Sequence, residues 1–237
     1  MNPINLIVQH IYRSLFLTKQ TTLRKTNLFV KIIFIISTIY CYVISLDKPL
    51  LLIHIITVLV ILSLIDRGLE WIFSVIIVSI IPGLWFSLTT LLLKLTGFIE
   101  IDLSTIFMIF IRTIIVTYTI IFCFSIIDPV EVYNLLIRIG LNKYAVIVLL
   151  IYRLTPYGLN SFIESLNISR LKEEDIKSRL APAVASIIET ASYINEYGYF
   201  KIHCSPRYVI ETLLNRFYSI VLLIIFIINI SATLLFP

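Results

Sequence analysis

Two short motifs carry the chemistry that this sequence offers outside its apolar stretches. Ser169-Arg170-Leu171 ends one amphipathic stretch with a guanidinium group, and Glu196-Tyr197-Gly198 ends a second with acidic and aromatic side chains. A guanidinium group presents five hydrogen-bond donors in one plane and can bind a carboxylate at two points. Arginine and tyrosine are also the residues that dominate protein–protein interfaces. The two motifs therefore predict docking sites for a partner protein.

Two ionisable residues, His54 and Arg112, lie inside apolar segments. His54 has no second histidine, cysteine or carboxylate near it in the sequence, and the two residues do not form the set of facing carboxylates, histidines or a nucleophile with its base that a membrane-embedded hydrolase or transferase would require. For His54 we expect a hydrogen-bonded packing role. A central arginine costs about 2.5–3.5 kcal/mol on insertion scales. We therefore expect Arg112 to extend toward the headgroups, with a polar contact to another helix or subunit as the alternative.

The sequence predicts no catalytic residue, cofactor or metal site. Cys41, Cys123 and Cys204 are too dispersed for a metal-ligand pattern, and their odd number argues against a disulfide framework. We expect them to pack as small apolar side chains. The chain also lacks a glycine-rich phosphate loop with its lysine. Any ATP used by this protein would therefore be hydrolysed by a partner.

Composition places the chain among polytopic membrane proteins of the all-α class. Of its 237 residues, 59% are hydrophobic and 14% are charged, against about a quarter charged in soluble domains. The net charge of +5 comes mostly from basic residues that flank apolar stretches. That distribution follows the positive-inside rule and gives no reason to expect a nucleic-acid partner.

Hydropathy predicts about five full spans, with Pro82-Gly83 introducing a kink or a break in the third. Lys31, near the start of the first span, is expected to reach the headgroups. The predicted spans are Leu28–Leu46, Leu50–Ile65, Leu69–Leu95, Thr105–Ile127 and Phe217–Phe236. The predicted regions are an N-terminal arm with an interfacial helix (1–27), the first four spans (28–127), a coupling region (128–207) and the C-terminal span (208–237).

The turns between these spans have clear sequence signals. Asp47-Lys48-Pro49 and Asp66-Arg67-Gly68 separate successive spans, and Asp128-Pro129 is typical of a helix start that leads to an end at Gly140. Basic residues concentrate in the N-terminal arm and in the region from Asp128 to Arg216. With five spans, both regions lie in the cytoplasm and the C-terminus lies outside the cell membrane.

The segment Tyr152–His203, which we call the arm, reads as two amphipathic helices joined by a charged elbow, Lys172-Glu173-Glu174-Asp175. Tyr144–Leu154 is too short to span alone and is predicted to continue into the first of them. Two amphipathic helices in a row also fit helices that lie flat on lipid, but a docking motif at each helix end favours a partner protein. The apolar faces comprise Leu159, Phe162, Ile163 and Leu166 in the first helix, and Val184, Ile187, Ile188, Ala191 and Ile194 in the second.

From about Leu46 to the C-terminus, the chain resembles the T component of energy-coupling factor (ECF) transporters, the CbiQ-like membrane proteins of vitamin and cobalt or nickel uptake. The resemblance rests on Asp47-Lys48-Pro49, on Asp128-Pro129 followed by Arg138-Ile139-Gly140-Leu141, on Tyr152-Arg153-Leu154-Thr155-Pro156, and on the arm. Members of this family end each of two coupling helices in an X-Arg-X motif.

The resemblance implies partners and a mechanism. Ser169-Arg170-Leu171 matches the first motif, whereas Glu196-Tyr197-Gly198 has Tyr197 at the arginine position. In the family these motifs dock into two ABC-type ATPase subunits, and the T component passes their ATP-driven motion to a small membrane-embedded S component that binds the substrate. A membrane-embedded enzyme and a self-contained secondary transporter remain alternatives. The latter typically has internal repeats or paired broken helices, and only Pro82-Gly83 interrupts a span.

Overall fold

The structure is a computed structural model of the 237-residue chain. It describes residues 3–15, 21–45, 48–171 and 215–235, together with residues 181, 182, 184, 185, 188, 189, 191–193 and 196 of the second arm helix. All regular structure in these residues is helical. Five helices are long and apolar enough to cross a membrane. The predicted fold class, an all-α polytopic membrane protein, is confirmed.

The helix bounds follow the turn signals of the sequence. Pro49 begins a helix at a position where its missing N–H is no loss, and Gly68 has a φ of 84°, which glycine adopts without strain. In chain order the helices are α1 (Pro3–Leu15), a short 3-10 helix (Leu23–Lys25), α2 (Leu28–Ile44), α3 (Pro49–Asp66), α4 (Leu69–Leu95), α5 (Leu103–Ile126), α6 (Pro129–Arg138), α7 (Asn142–Leu171) and α8 (Arg216–Leu235).

The five helices with the length and apolarity of a span differ from the five predicted spans in one member. They are α3, α4, α5, α8 and the segment Asn142–Glu164 of α7. The first predicted span is the shorter helix α2, with 17 residues. The apolar stretch Tyr144–Leu154 is too short to span alone, as predicted, but helical structure continues through Pro156, and the longer segment reaches the length of a span.

The chain forms two compact units, which we describe separately. The arm unit comprises Met1–Tyr12 and Ile127–Leu213, and the bundle unit comprises Arg13–Ile126 and Leu214–Pro237. In the bundle unit, α4 packs mainly on α5, and α2 packs mainly on α8. Aromatic rings join these pairs at the core: the ring centroid of Phe122 lies 6.4 Å from that of Phe34 and 6.2 Å from that of Trp71, both edge to face.

Helix α4 runs through Pro82-Gly83 without a break, so of the two predicted alternatives, a kink or a break into two shorter helices, the break is wrong. Gly83 is buried against α5. A Cβ atom at this position would lie 3.1 Å from Ile114 and 3.2 Å from Phe110. The absence of a side chain at Gly83 therefore lets α5 approach α4 closely, as small residues do between membrane helices.

The turn between α3 and α4 contains a buried polar cluster that fastens the N-terminal segment. The side chains of Asp66 and Arg67 are fully buried and lie 3.3 Å apart. Arg67 also donates a 2.6 Å hydrogen bond to the Ser125 carbonyl and stacks 4.9 Å over the ring of Trp71. The Trp71 indole N–H donates to the Ser14 carbonyl at 3.0 Å. These contacts hold the end of α1 and the turn to the same core.

Lys31 does not extend toward the headgroups as predicted. Its side chain is fully buried, and Nζ donates a 2.6 Å hydrogen bond to the carbonyl of Arg24. Lys31 is the fourth residue of α2, so its side chain points back toward the start of the helix and meets the preceding loop. The Asn215 N–H also donates to the Lys25 carbonyl, at 2.8 Å. The loop before α2 is thus tied to both α2 and the start of α8.

Candidate partner-docking site

Helix α7 carries the first docking motif. It is continuous over 30 residues from Asn142 to Leu171, with Pro156 inside it. The prediction that the apolar stretch and the first arm helix form one helix is confirmed. Between Leu150 and Arg170, this helix covers about 30 Å at 1.5 Å per residue.

The N-terminal half of α7 is held by α6 within the arm unit. Asp128 caps α6 by accepting a 3.0 Å hydrogen bond from the Val130 N–H, as the sequence predicts. Gly140, with a φ of 85°, ends the helical turn and lets the chain reverse. The two helices then bury a small apolar cluster of Tyr133, Ala145, Val146 and Leu150. This cluster fixes the base from which α7 extends.

The described part of α7 beyond Pro156 shows the predicted division into two faces in part. Asn160, Glu164 and Asn167 are exposed, and Leu159, Phe162 and Ile163 are half-buried, but Ser161 of the predicted polar face is also half-buried. Ser169, Arg170 and Leu171 are helical and are the last residues of α7 that the structure describes. The predicted end of the helix at this motif, where the helix dipole would favour the Arg170 cation, stays a prediction.

The second motif is described only in part. Glu196 is helical and exposed, whereas Tyr197 and Gly198 lie outside the described residues, as does the elbow from Lys172 to Asp175. The structure therefore places one residue of this motif, at the surface of the second arm helix.

The second arm helix exposes the face that was predicted to be apolar. Val184 is 48% exposed and Ile188 is 64% exposed, and Ala191 is also exposed. Ile187 and Ile194, the other members of the predicted face, lie outside the described residues. At spacings of four and three residues, the three described side chains share one helix face. Such an exposed apolar face is typical of a surface that binds a membrane or a protein.

A second face of this helix is acidic and aromatic, which the sequence analysis did not consider. The Tyr193 hydroxyl donates a 3.3 Å hydrogen bond to the Glu189 carboxylate, one turn earlier. The negative charge of Glu189 raises the pKa of Tyr193 above its usual value, as do this hydrogen bond and, to a smaller extent, Glu196. The spacing of 189, 193 and 196 could have revealed the pairing. This surface thus offers negative charge, whereas Arg170 offers positive charge.

In the bundle unit, His54 has a partner that sequence proximity could not reveal. Its Nε2 atom lies 3.1 Å from Oδ1 of Asn229, 175 residues later in the chain. This contact agrees with the predicted hydrogen-bonded packing role. Arg112 is the tenth residue of α5, about 14 Å along the helix from its start. Its side chain is half-buried and interacts within the chain, and the choice between the two predicted roles stays open.

The cysteines behave as apolar side chains where they are described. Cys41 and Cys123 are buried free thiols, and Cys204 lies outside the described residues. Within the described ranges, His, Cys, Asp and Glu side chains do not gather in groups of three or more that could hold a metal ion.

Comparison of the chain with protein-family models, with curated proteins and with solved structures found no match.

Proposed function

We propose that the chain is the transmembrane coupling subunit, or T component, of an ECF-type importer for a vitamin or a transition metal. Its partners are two ABC-type ATPase subunits and a small membrane-embedded S component that binds the substrate. The observation that carries this proposal is the unbroken course of α7, which joins an apolar segment long enough to span to the docking motif at Arg170. One rigid element thereby connects a membrane segment to a charged tip.

The docking step uses the chemistry of Arg170. A guanidinium at a helix C-terminus forms a bidentate contact with a carboxylate in a groove of one ATPase subunit. When ATP binding closes the two ATPase subunits, the tip moves with its groove. Because the first half of α7 is packed against α6, the displacement reaches the apolar cluster at Tyr133, Ala145 and Val146 and moves both helices.

The second docking contact differs in character. The exposed Val184, Ile188 and Ala191 offer an apolar surface, and Glu189 and Glu196 offer negative charge beside Tyr193. The second arm helix fits an ATPase groove that has an apolar floor and a basic rim, whereas Arg170 fits an ATPase groove that contains a carboxylate. In this proposal the two contacts are unequal, and the arm and the N-terminus are cytoplasmic while the C-terminus lies outside the cell membrane.

Purification of the full chain from its own membranes in mild detergent tests the proposal. Mass spectrometry of the retained proteins should find ABC-type ATPase subunits and a small membrane protein. The proposal fails if the chain never retains an ATPase. Solute uptake by proteoliposomes that contain this chain alone would instead indicate a self-contained transporter, and substrate turnover lost on replacing His54 would indicate an enzyme.

A further inference from the structure

The polar cluster around His54 fixes the orientation of every hydrogen bond within it. The hydroxyl groups of Ser37 and Thr38 both donate to the Phe34 carbonyl, at 2.8 and 2.9 Å. Only their oxygen lone pairs are then available to Asn229, whose amide nitrogen lies 3.4 Å from the Ser37 oxygen and 3.5 Å from the Thr38 oxygen. The amide of Asn229 must therefore donate to these hydroxyl oxygens and direct its own oxygen toward His54.

This orientation decides which ring nitrogen of His54 carries the hydrogen. Since Oδ1 of Asn229 can only accept, Nε2 of His54 donates to it across 3.1 Å. In the neutral ring the other nitrogen, Nδ1, is then an acceptor. Asn229 is 2% exposed and lies within the bundle, whereas His54 is only half-buried. Within the described residues, the hydrogen bond of His54 is the one that Nε2 makes, and Nδ1 is not fully enclosed by protein atoms. Nδ1 therefore reaches the surface of the bundle.

The surface around Nδ1 lies at membrane depth. His54 is about 8 Å along α3 from Pro49, in a helix of about 27 Å. The residues around it form what we call the membrane face of α3, and all of them are exposed: Leu50, Ile53, Thr57, Ile61 and Leu64. The Thr57 hydroxyl donates to the Ile53 carbonyl at 2.8 Å, so its oxygen is an acceptor one turn from His54. Hydrocarbon has no donor to offer these two acceptors.

We propose that the membrane face of α3 docks a transmembrane helix of a second membrane protein, which donates a hydrogen bond to Nδ1 of His54. The two acceptors, Nδ1 of His54 and the hydroxyl oxygen of Thr57, indicate what kind of helix docks here: an apolar helix with a hydroxyl, amide or indole donor at this depth. Lipid tails fit the apolar residues of this face but leave Nδ1 without a donor. This inference rests on the proposed function, in which the protein that docks on the membrane face of α3 is the S component.

Two substitutions of His54 separate docking from internal packing. In His54→Gln, the side-chain amide keeps a donor at the position of Nε2 and removes the acceptor at Nδ1. In His54→Asn, the side-chain oxygen stands at the position of Nδ1 but the donor to Asn229 is lost. We expect His54→Gln to keep the melting temperature of the purified chain and to retain about threefold less partner, the size of one interhelical hydrogen bond in a bilayer. We expect His54→Asn to melt earlier and to retain the partner.

Thr57→Val has a matched control on another helix. Thr89 of α4 is also exposed and donates to the carbonyl four residues earlier, at 2.8 Å, but no histidine lies beside it. Thr57→Val should lower partner retention, and Thr89→Val should not. Equal losses of partner retention in Thr57→Val and Thr89→Val would overturn the proposal. So would losses of retention that merely follow the melting temperatures of these two variants and the two His54 variants.

Photo-cross-linking in the native membrane identifies the occupant. A benzophenone amino acid replaces Ile53, which is 59% exposed, and in a control it replaces Leu88 of α4, which is 55% exposed. The expected result is an adduct between position 53 and a different membrane protein, weakened by His54→Gln and kept by His54→Asn. Adducts with lipid only, or with a second copy of this chain, would overturn it. ATPase retention is measured in the same samples. If the expected adducts form but no ATPase is retained, the proposed function is contradicted and this inference is not. If an ATPase is retained but position 53 cross-links only to lipid, this inference is contradicted and the proposed function is not.

Discussion

The Asp66 carboxylate accepts a 2.8 Å hydrogen bond from the hydroxyl of Thr22, 44 residues earlier in the chain. The same oxygen accepts a 2.9 Å hydrogen bond from the Leu23 N–H, and the other oxygen lies 3.3 Å from Nε of Arg67. One buried carboxylate thus joins the loop before α2 to the turn between α3 and α4. The short helix at Leu23–Lys25 is held against the bundle through this contact.

We therefore expect Asp66→Ala to destabilise the protein strongly. It removes the acceptor for two donors and leaves the buried Arg67 without its carboxylate, and breaking a buried pair in this way costs about 3–5 kcal/mol. Thr22→Val removes one hydrogen bond and should cost about 1 kcal/mol. Thermal unfolding in mild detergent, followed by tryptophan fluorescence, to which Trp71 beside Arg67 contributes, measures both. Equal melting temperatures for Asp66→Ala and the native chain would show that the contact contributes no stability.

Local signals in the sequence predicted where helices begin and end. Pro49, Gly68, Asp128 and Gly140 act through their own backbone geometry or through a neighbour within two residues, so a single sequence reveals them. The continuity of α7 was predicted for the same reason, because its apolar and amphipathic parts are adjacent. Pro82 does not break α4, because a proline inside a membrane helix is tolerated where packing against a neighbour compensates for it.

The partners of buried polar groups could not be predicted in this way. Asn229 meets His54 across 175 positions of the sequence, and Thr22 meets Asp66 across 44. Lys31 looked like a headgroup anchor because its position near a helix start is typical of one, yet it bonds to the Arg24 carbonyl. Such pairings depend on which helices pack together, and a hydropathy pattern does not specify that. The docking roles of Arg170 and Tyr197 stay predictions.

The contact between α4 and α5 should be sensitive to any side chain at Gly83. Gly83→Val places atoms within the 3.1–3.2 Å gap to Ile114 and Phe110, and overpacking of this kind costs about 1–3 kcal/mol. Leu84→Val changes the adjacent residue, which is 47% exposed, and should cost only a few tenths of a kcal/mol. Melting temperatures of the two variants in detergent test this. Similar values would mean that α4 and α5 separate freely at this point.

Tyr193 should titrate at a higher pH than an ordinary tyrosine. The negative charge of Glu189 opposes formation of the phenolate, so the neutral phenol persists to higher pH and the pKa is raised. Glu189→Gln removes that charge and should lower the pKa of Tyr193 toward its usual value. Tyrosinate absorbance is measured for the native chain and for Glu189→Gln, each with and without the further substitution Tyr193→Phe. The difference within each pair gives the titration of Tyr193 alone. An unchanged titration in Glu189→Gln would exclude Glu189 as the cause.

Replacing Arg170 should weaken ATPase retention more than replacing Tyr197. Arg170→Glu reverses the charge at the C-terminus of α7 and opposes both the helix dipole and a carboxylate in the partner. Arg170→Lys keeps the charge but loses the bidentate geometry, and should give an intermediate loss. Tyr197→Ala removes one aromatic contact and keeps the exposed apolar face of Val184 and Ile188. Co-purification of the ATPase with each variant gives the order, and retention by Arg170→Glu equal to that of the native chain would contradict the docking role.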